Sequence, residues 1–399
     1  MQIQKILYKS FIGTLLCTTA LYSTPFENYK HNLVNMFQNN KQEFINYKSA
    51  SLHNFDAYKK AQQKAYNSYK NELLKYWDNP ELTEETKLVH YTKDKKTKTA
   101  IDFKHKLLQI ETIAKSKKEA EKKIKKALIK AVSINTQELY KNDALLQKLS
   151  HIPKPKNMVN AKIDPKPILS NVVFSQTPDK EDLLLYTKKT LLHTKIKSRK
   201  NKRNKNIFTL NVKLPKNTNY KRSMIYRNEV SYASKKEKLP RSLIFAIMHT
   251  ESSFNPYARS YVPAYGLMQI VPKTAGIDAY FYLYGKKRLV TGNYLYNSKN
   301  NIKMGSAYLH ILYYRYLKDI KDPQSRLYCT IAAYNTGAGN VSRAFVNSYN
   351  THKAAKVINR LTPDEVYAKL LQDLRYEEPK KYLKNVTKRM KIYQKIYES

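Results

Sequence analysis

The 399-residue chain holds 74 Lys and Arg against 31 Asp and Glu, a formal net charge of +43, and 42% of its residues are hydrophobic. That length and apolar fraction allow a folded chain of two ordinary domains. Two cysteines, Cys17 and Cys329, rule out a disulfide framework, and no CxxC pair offers a zinc site.

The charge points either to an anionic partner (nucleic acid, a phospholipid surface, an anionic wall polymer) or to codon bias. Lys, Asn, Ile and Tyr are all plentiful while there are only 8 Gly and 1 Trp, and the lysines run along the whole chain rather than forming one patch, which favours codon bias.

The N-terminal MQIQKILYKSFIGTLLCTTALYSTP predicts an export signal or an anchor over residues 1–23. Lys5 and Lys9 form a basic start, Phe11 to Ala20 is apolar but short for a membrane span, and Thr18 to Ala20 supplies small residues for cleavage. Lipidation at Cys17 is the competing reading, and the Leu16 before it is large for that signal.

Residues 26–80 read as helical, with no glycine. TKLVHYT, TKTAIDF and LLQIETIAK then read as a small antiparallel meander. SKKEAEKKIKKALIKAVS follows as an amphipathic helix with Ala120, Ile124, Ala127, Leu128 and Val132 on one stripe. Residues 151–214 are rich in Pro and Lys, and KIKSRKNKRNKN at 195–206 reads as a solvated or phospholipid-contacting loop rather than a nucleic-acid patch. FTLNVKLP at 208–215 alternates like a closing strand. Residues 24–214 therefore form an α+β accessory domain with a basic linker region.

From 215 to 399 the pattern is mainly helical. RSMIYRNEVSYASKKEKLP gives one helix, and LPRSLIFAIMHTESSFNPYA the next, between Pro240 and Pro256. Ile244, Ile247 and Met248 recur there at helical spacing, and Glu251 falls on the same apolar stripe. NIKMGSAYLHILYYRYLKDI, SRLYCTIAAYN and LRYEEPKKYLKNVTKRMKIYQKIY supply further helices, with Cys329 as a core residue. There is no internal repeat.

Four polar islands join helix ends to loops: ESSFNPYARS (251–260), YGLMQI (265–270), AYNTGAG (333–339) and YEEPKKYLKNV (376–386). Gly266, Gly337 and Gly339 in them are three of the 8 glycines, which marks tight turns or close approach to a ligand. In wording and order the islands resemble the lysozyme-like, goose-type domain of the Slt-type lytic murein transglycosylases, over about residues 225–390. YNSYKNELLKYWDN, KTKTAIDFKHKLLQIETI and EKKIKKALIKAV resemble the N-terminal domain of one branch, membrane-bound lytic murein transglycosylase C.

The resemblance implies cleavage of the β-1,4 bond between N-acetylmuramic acid and N-acetylglucosamine in peptidoglycan glycan strands. The muramic C6 hydroxyl attacks its own C1, leaving a 1,6-anhydromuramoyl end. It implies Glu251 as the single acid/base, Ser260 and Gln269 lining the cleft, Tyr334 and Asn335 as the AYN pair, and Tyr382 near the catalytic carboxyl. Met268, within GLMQ, is expected to join Met248 and Phe254 as apolar wall and to contact substrate. Pro263 and Thr336 replace glycines of the family pattern and alter loop shape at the rim. The implied setting is the periplasm, with membrane or lipid association and attachment to the outer membrane compatible with the N-terminus, and no nucleic-acid partner. No oligomeric state follows from the sequence.

A free Glu with a pKa of about 4.3 is protonated about one part in 500 at pH 7, and raising the pKa to roughly 6 by apolar burial brings this to about one in ten. A glycosidase that uses water needs a second carboxylate, whereas an internal hydroxyl nucleophile needs one carboxyl to give a proton and then take one. Asp278, Glu377 and Glu378 occupy no partner position in the motifs, so Glu251 is expected poorly exposed, beside Tyr334 and Tyr382, with no second carboxylate close by. A hydrolytic muramidase and a non-catalytic wall-binding protein are the alternatives. No cofactor is expected, and no metal, since His249 and His310 lack ligand spacing.

Overall fold

The computed structural model describes residues 55–156, 158–261 and 263–398. The expected signal or anchor at 1–23 lies outside them. The chain divides into two units, Met1–Lys59 and Lys60–Ser399. Of the first, residues 55–59 are described, and they are helical.

The second unit opens with helical residues 60–74 and contains strands β1 (Lys87–Tyr91), β2 (Thr97–Asp102), β3 (Leu107–Ile113), β4 (Met158–Val159), β5 (Lys197–Lys200), β6 (Asn206–Lys213) and β7 (Leu289–Val290). Five of them form an antiparallel sheet in the order β1-β2-β3-β6-β5. The meander closes through tight turns: Lys95 and Lys106 take left-handed backbone (φ 57 and 56), and Asp102 accepts the His105 N–H at 2.8 Å.

Alternation gives the sheet two apolar faces. Leu88, Ile101, Leu108, Ile110, Leu210 and Val212 meet the Lys117–Ser133 helix through Ala120, Ile124, Leu128 and Val132. That helix starts where the Ser116 hydroxyl accepts the Glu119 N–H. Val89, Tyr91, Ala100 and Ile207 meet Tyr69, Leu73 and Trp77 on the other side.

The basic 195–206 stretch is not a loop. It holds β5 at the sheet edge and the turn into β6, with all four β5 side chains exposed. A strand held at an edge by its backbone pairing and one Arg199–Glu111 ion pair needs no apolar alternation, so the pattern hides it. The proline-rich stretch before it is stitched down by β4, which runs parallel to β7.

The single helix expected at 222–240 is two, Thr218–Ile225 and Arg227–Glu237, broken at Tyr226. The helix that carries Glu251 spans Arg241–Ser252, with Leu243 to Met248 fully buried. It is apolar all round rather than striped because helices surround it. The last helix, Glu377–Tyr397, packs along it, with Phe245 stacked on Tyr397 at 4.3 Å and on Tyr393 at 5.5 Å.

One apolar cluster runs from Leu88 and Leu108 in the sheet to Tyr393 and Tyr397 in the last helix. Arg222 sits inside it, fully buried, donating to the carbonyls of Phe254 (2.6 Å from Nη2) and Ile168 and lying 4.4 Å from the Phe103 ring. Among the described residues no helix is long and apolar enough to cross a membrane.

Candidate active site

Glu251 is the penultimate residue of its helix, and the chain leaves that helix abruptly. Ser253 and Phe254 both take left-handed backbone (φ 48 and 64), a conformation that costs about 1 kcal/mol or more for a residue with a side chain. Side chains hold the exit in place. Ser252 Oγ donates to the Met248 carbonyl and to the Leu267 carbonyl at 2.8 Å, Arg222 grips the Phe254 carbonyl, and buried Asn255 donates to the carbonyls of Glu84 (3.0 Å) and Glu85 (3.1 Å). The carboxyl is thus presented from a rigid helix end at a turn tied to both the 265–270 loop and the loop before β1.

The YGLMQI island is a small closed loop. Tyr265 and Ile270 exchange both backbone hydrogen bonds at 3.1 Å, and Gly266 donates to the Ala258 carbonyl at 2.9 Å. Gly266 has φ 76, and a Cβ there would lie 2.4 Å from Asn301 Nδ2 and from the Leu295 carbonyl, so only glycine fits. Asn301, buried in the Ser298–Ile311 helix, accepts the Met268 N–H at 2.8 Å and donates to the Tyr265 and Leu295 carbonyls.

Ser260 Oγ accepts the Ala264 N–H at 3.0 Å and so closes the turn that precedes this loop. Gln269 has φ 47, donates through Nε2 to the Gly266 carbonyl at 2.9 Å, and has a buried Oε1 without a hydrogen-bond partner.

The Met268 side chain is fully buried, and a Cβ on Gly305 would lie 2.4 Å from its sulfur. It wedges the loop onto the Ser298–Ile311 helix, and its carbonyl, not its side chain, meets a site residue by accepting Tyr334 Oη at 2.8 Å. Met248 and Phe254 are core residues as well, Phe254 lying among Tyr226, His249 and Tyr393. All three side chains are interior packing around the helix end, and the substrate contact expected of the Met268 side chain is corrected, since that side chain is fully buried. Helical spacing does not say which apolar residues of a fully enclosed helix reach a cleft.

Tyr382, from the last helix, donates its hydroxyl to Glu251 Oε1 at 2.6 Å. Asn335 donates to Glu378 Oε1 at 3.1 Å, joining the AYN island to the start of that helix. Burial pushes the Glu251 carboxyl up to about 8; the Tyr382 hydrogen bond opposes this, and the charges of Glu378 and Glu85 add to it. Burial and the Glu251 charge hold the hydroxyls of Tyr334 and Tyr382 well above the ordinary tyrosine range, so both remain donors.

Glu378 and Glu85 thus act on Glu251 as like charges, behind burial and the Tyr382 hydrogen bond in size. Glu85 comes from the loop before β1, 166 positions away in sequence. Sequence reasoning also missed Asn301 and Asn255. Neither Asn301, inside a helical run, nor Asn255, in the turn after a helix, carries a local mark of a buried role, and only the density of carbonyl and amide partners reveals it.

His249 is held between Asn219 Nδ2 (2.9 Å) and Tyr393 Oη (3.0 Å), and burial lowers its pKa to about 3, so it is neutral. Among the described residues no group of three or more His, Cys, Asp or Glu could hold a metal ion.

The Transglycosylase SLT domain family matches residues 229–357, which hold the Glu251 helix end, the glycine-turned loop and the AYN pair. Membrane-bound lytic murein transglycosylase C of Salmonella arizonae is 34% identical over 310 residues, 77% of this chain and 81% of that protein. The protein of that name from Klebsiella pneumoniae is 43% identical over 205 residues, 51% of this chain and 56% of that protein. The chain belongs to the family of membrane-bound lytic murein transglycosylase C. Among solved structures, an inactive mutant of the lytic transglycosylase Slt from Pseudomonas aeruginosa is 27% identical with a TM-score of 0.35, covering 44% of this chain and 25% of that one.

Proposed function

We propose that the chain is a peptidoglycan lytic transglycosylase of the bacterial cell envelope, acting on glycan strands from the periplasmic side with attachment to the outer membrane. The observation that carries the mechanism is the Glu251 carboxyl, raised to about 8 and bonded to Tyr382 at 2.6 Å. With that value it is about nine-tenths protonated at pH 7, against about one part in 500 for a free Glu.

Glu251 gives its proton to the glycosidic oxygen as the bond to muramic C1 breaks. The resulting carboxylate, held by Tyr382, takes the proton of the C6 hydroxyl as O6 bonds to C1. The proton returns to Glu251, no water is consumed, and one glycosidic bond is exchanged for an internal one. Tyr334 braces the Met268 carbonyl from the side of the AYN island. Gln269, half-buried and held by its Nε2 bond to the Gly266 carbonyl, lines the cleft in this reading, and Ser260 and Asn335 shape the rim. In this reading the sheet-bearing part up to 214 is the accessory region and 215–399 carries the catalytic residues.

Glu378 and Glu85 favour a second reading, a hydrolase in which one of them activates water. Digestion of purified sacculi followed by mass spectrometry separates the two. Anhydro-ended products are expected, and products heavier by one water establish hydrolysis instead. Glu251→Gln should lower the rate by about 10²- to 10⁴-fold. A variant that keeps full activity removes Glu251 from the mechanism.

A further inference from the structure

The Lys180–His193 helix carries apolar residues on two sides. Leu183, Tyr186 and Leu191 are half-buried against the core and Thr187 is buried. Leu184, Leu185 and Leu192 face the other way and are 42%, 51% and 72% exposed. They line an open groove whose opposite wall is the Lys117–Ser133 helix, with Lys118, Lys122 and Lys125 on that wall and Lys188 among the leucines. Four lysines stand there against two acids, Glu121 and Glu181, and Glu121 is shared with Lys117 at 4.0 Å. The groove ends at Ile196, from which the chain enters the exposed strand β5, sequence KSRK, whose Arg199 is paired with Glu111.

Isolated exposed leucines are ordinary, but three on one helix flanking a lysine-walled groove form a patch. A glycan offers leucine no apolar medium. An anionic bilayer surface offers both what the leucines lack and what the lysines match: acyl chains just below a layer of phosphates. Lysine stems can lie along the leucines while their ammonium groups reach the headgroups.

We propose that this face seats the folded chain on an anionic phospholipid leaflet, with Leu184, Leu185 and Leu192 entering the acyl boundary and Lys118, Lys122, Lys125 and Lys188 on headgroup phosphates. The seat is additional to any N-terminal anchor and holds whether or not Glu251 acts as described above.

The test places a reporter at the face, so that binding through the N-terminus cannot imitate it. The full chain carrying Cys17→Ser and Leu192→Cys is labelled at the new thiol with a polarity-sensitive fluorophore; Cys329 is buried. With vesicles of phosphatidylethanolamine and phosphatidylglycerol the emission should move to shorter wavelength, and with phosphatidylcholine alone it should not. Adding Leu184→Glu and Leu185→Glu should weaken the response at least about tenfold, with the circular dichroism spectrum retained. Lys118→Glu with Lys122→Glu should weaken it too, and the weakening should be greatest at low salt. An emission unchanged by anionic vesicles overturns the proposal. So does a shift that needs only higher protein concentration, which assigns the face to a second copy, or one produced by lipid-free sacculi, which assigns it to the wall.

Discussion

At the scale of single residues, the behaviour of Glu251 follows from where its proton resides. Its folded pKa, about 8, lies above the ordinary 4.5, so the acid form is the one the fold favours. Activity that needs this proton falls as pH rises through about 8. Tyr382→Phe removes the one contact that lowers the value, so the falling limb should move to higher pH while the rate at neutral pH drops about a hundredfold. A pH–rate profile of the two proteins checks both. The same shift bears on stability. Between pH 4.5 and about 8 the folded chain holds a proton the unfolded chain has lost, so the contribution is complete below 4.5 and disappears as pH climbs to 8. Glu251→Gln should therefore melt above the wild type at pH 8 and gain nothing at pH 4, the free-energy difference at pH 8 being a few kcal/mol. Equal melting temperatures at pH 8 would mean the carboxyl is not desolvated.

At the scale of elements, the site is a helix end and a loop made inflexible by one glycine and one asparagine. Gly266→Ala forces a Cβ to within 2.4 Å of Asn301 and Leu295 at φ 76 and should cost about 2–4 kcal/mol by urea unfolding, with activity lost because Gln269 and the Tyr334 contact move with the loop. Gly337→Ala, where nothing lies within 4 Å, carries only the backbone strain of φ 86 and ψ 148, a region essentially closed to residues with a Cβ, and should cost about 2–3 kcal/mol. The β1–β3 meander and the Lys117–Ser133 helix are legible because period-two and 3.6-residue patterns survive wherever one face meets a core. The Tyr226 break and the β5 edge strand are not, since each depends on what packs nearby and neither changes the local pattern.

Across the whole molecule, the sheet region and the helical region share one interior. Arg222 is its clearest tie, a buried guanidinium satisfied by carbonyls at Ile168 and Phe254 and by the Phe103 ring. Arg222→Met leaves those carbonyls without donors and should lower stability by about 3 kcal/mol without abolishing the unfolding cooperativity, as read from denaturant melts with an unchanged slope. A chain beginning at residue 215 would lose Phe103, Leu108, Leu210 and the rest of the sheet face from the cluster. It should lack a cooperative thermal transition in circular dichroism; a sharp transition near that of the full chain would show that the helical region is self-sufficient.

What the sequence determined by itself was local: the helix that carries Glu251 near its end, the glycine-marked loop, the AYN helix end and the tyrosine of the last helix, each carried by a few adjacent residues. What only the tertiary structure decided was distance. It brings Tyr382 to 2.6 Å from a carboxyl 131 positions earlier, sets the Glu85 loop under Asn255, and turns Met268 from an expected substrate contact into a wedge against the Ser298–Ile311 helix. Desolvation is a property of everything packed around a group, so the value near 8 that makes Glu251 an acid at neutral pH exists only once these segments are assembled.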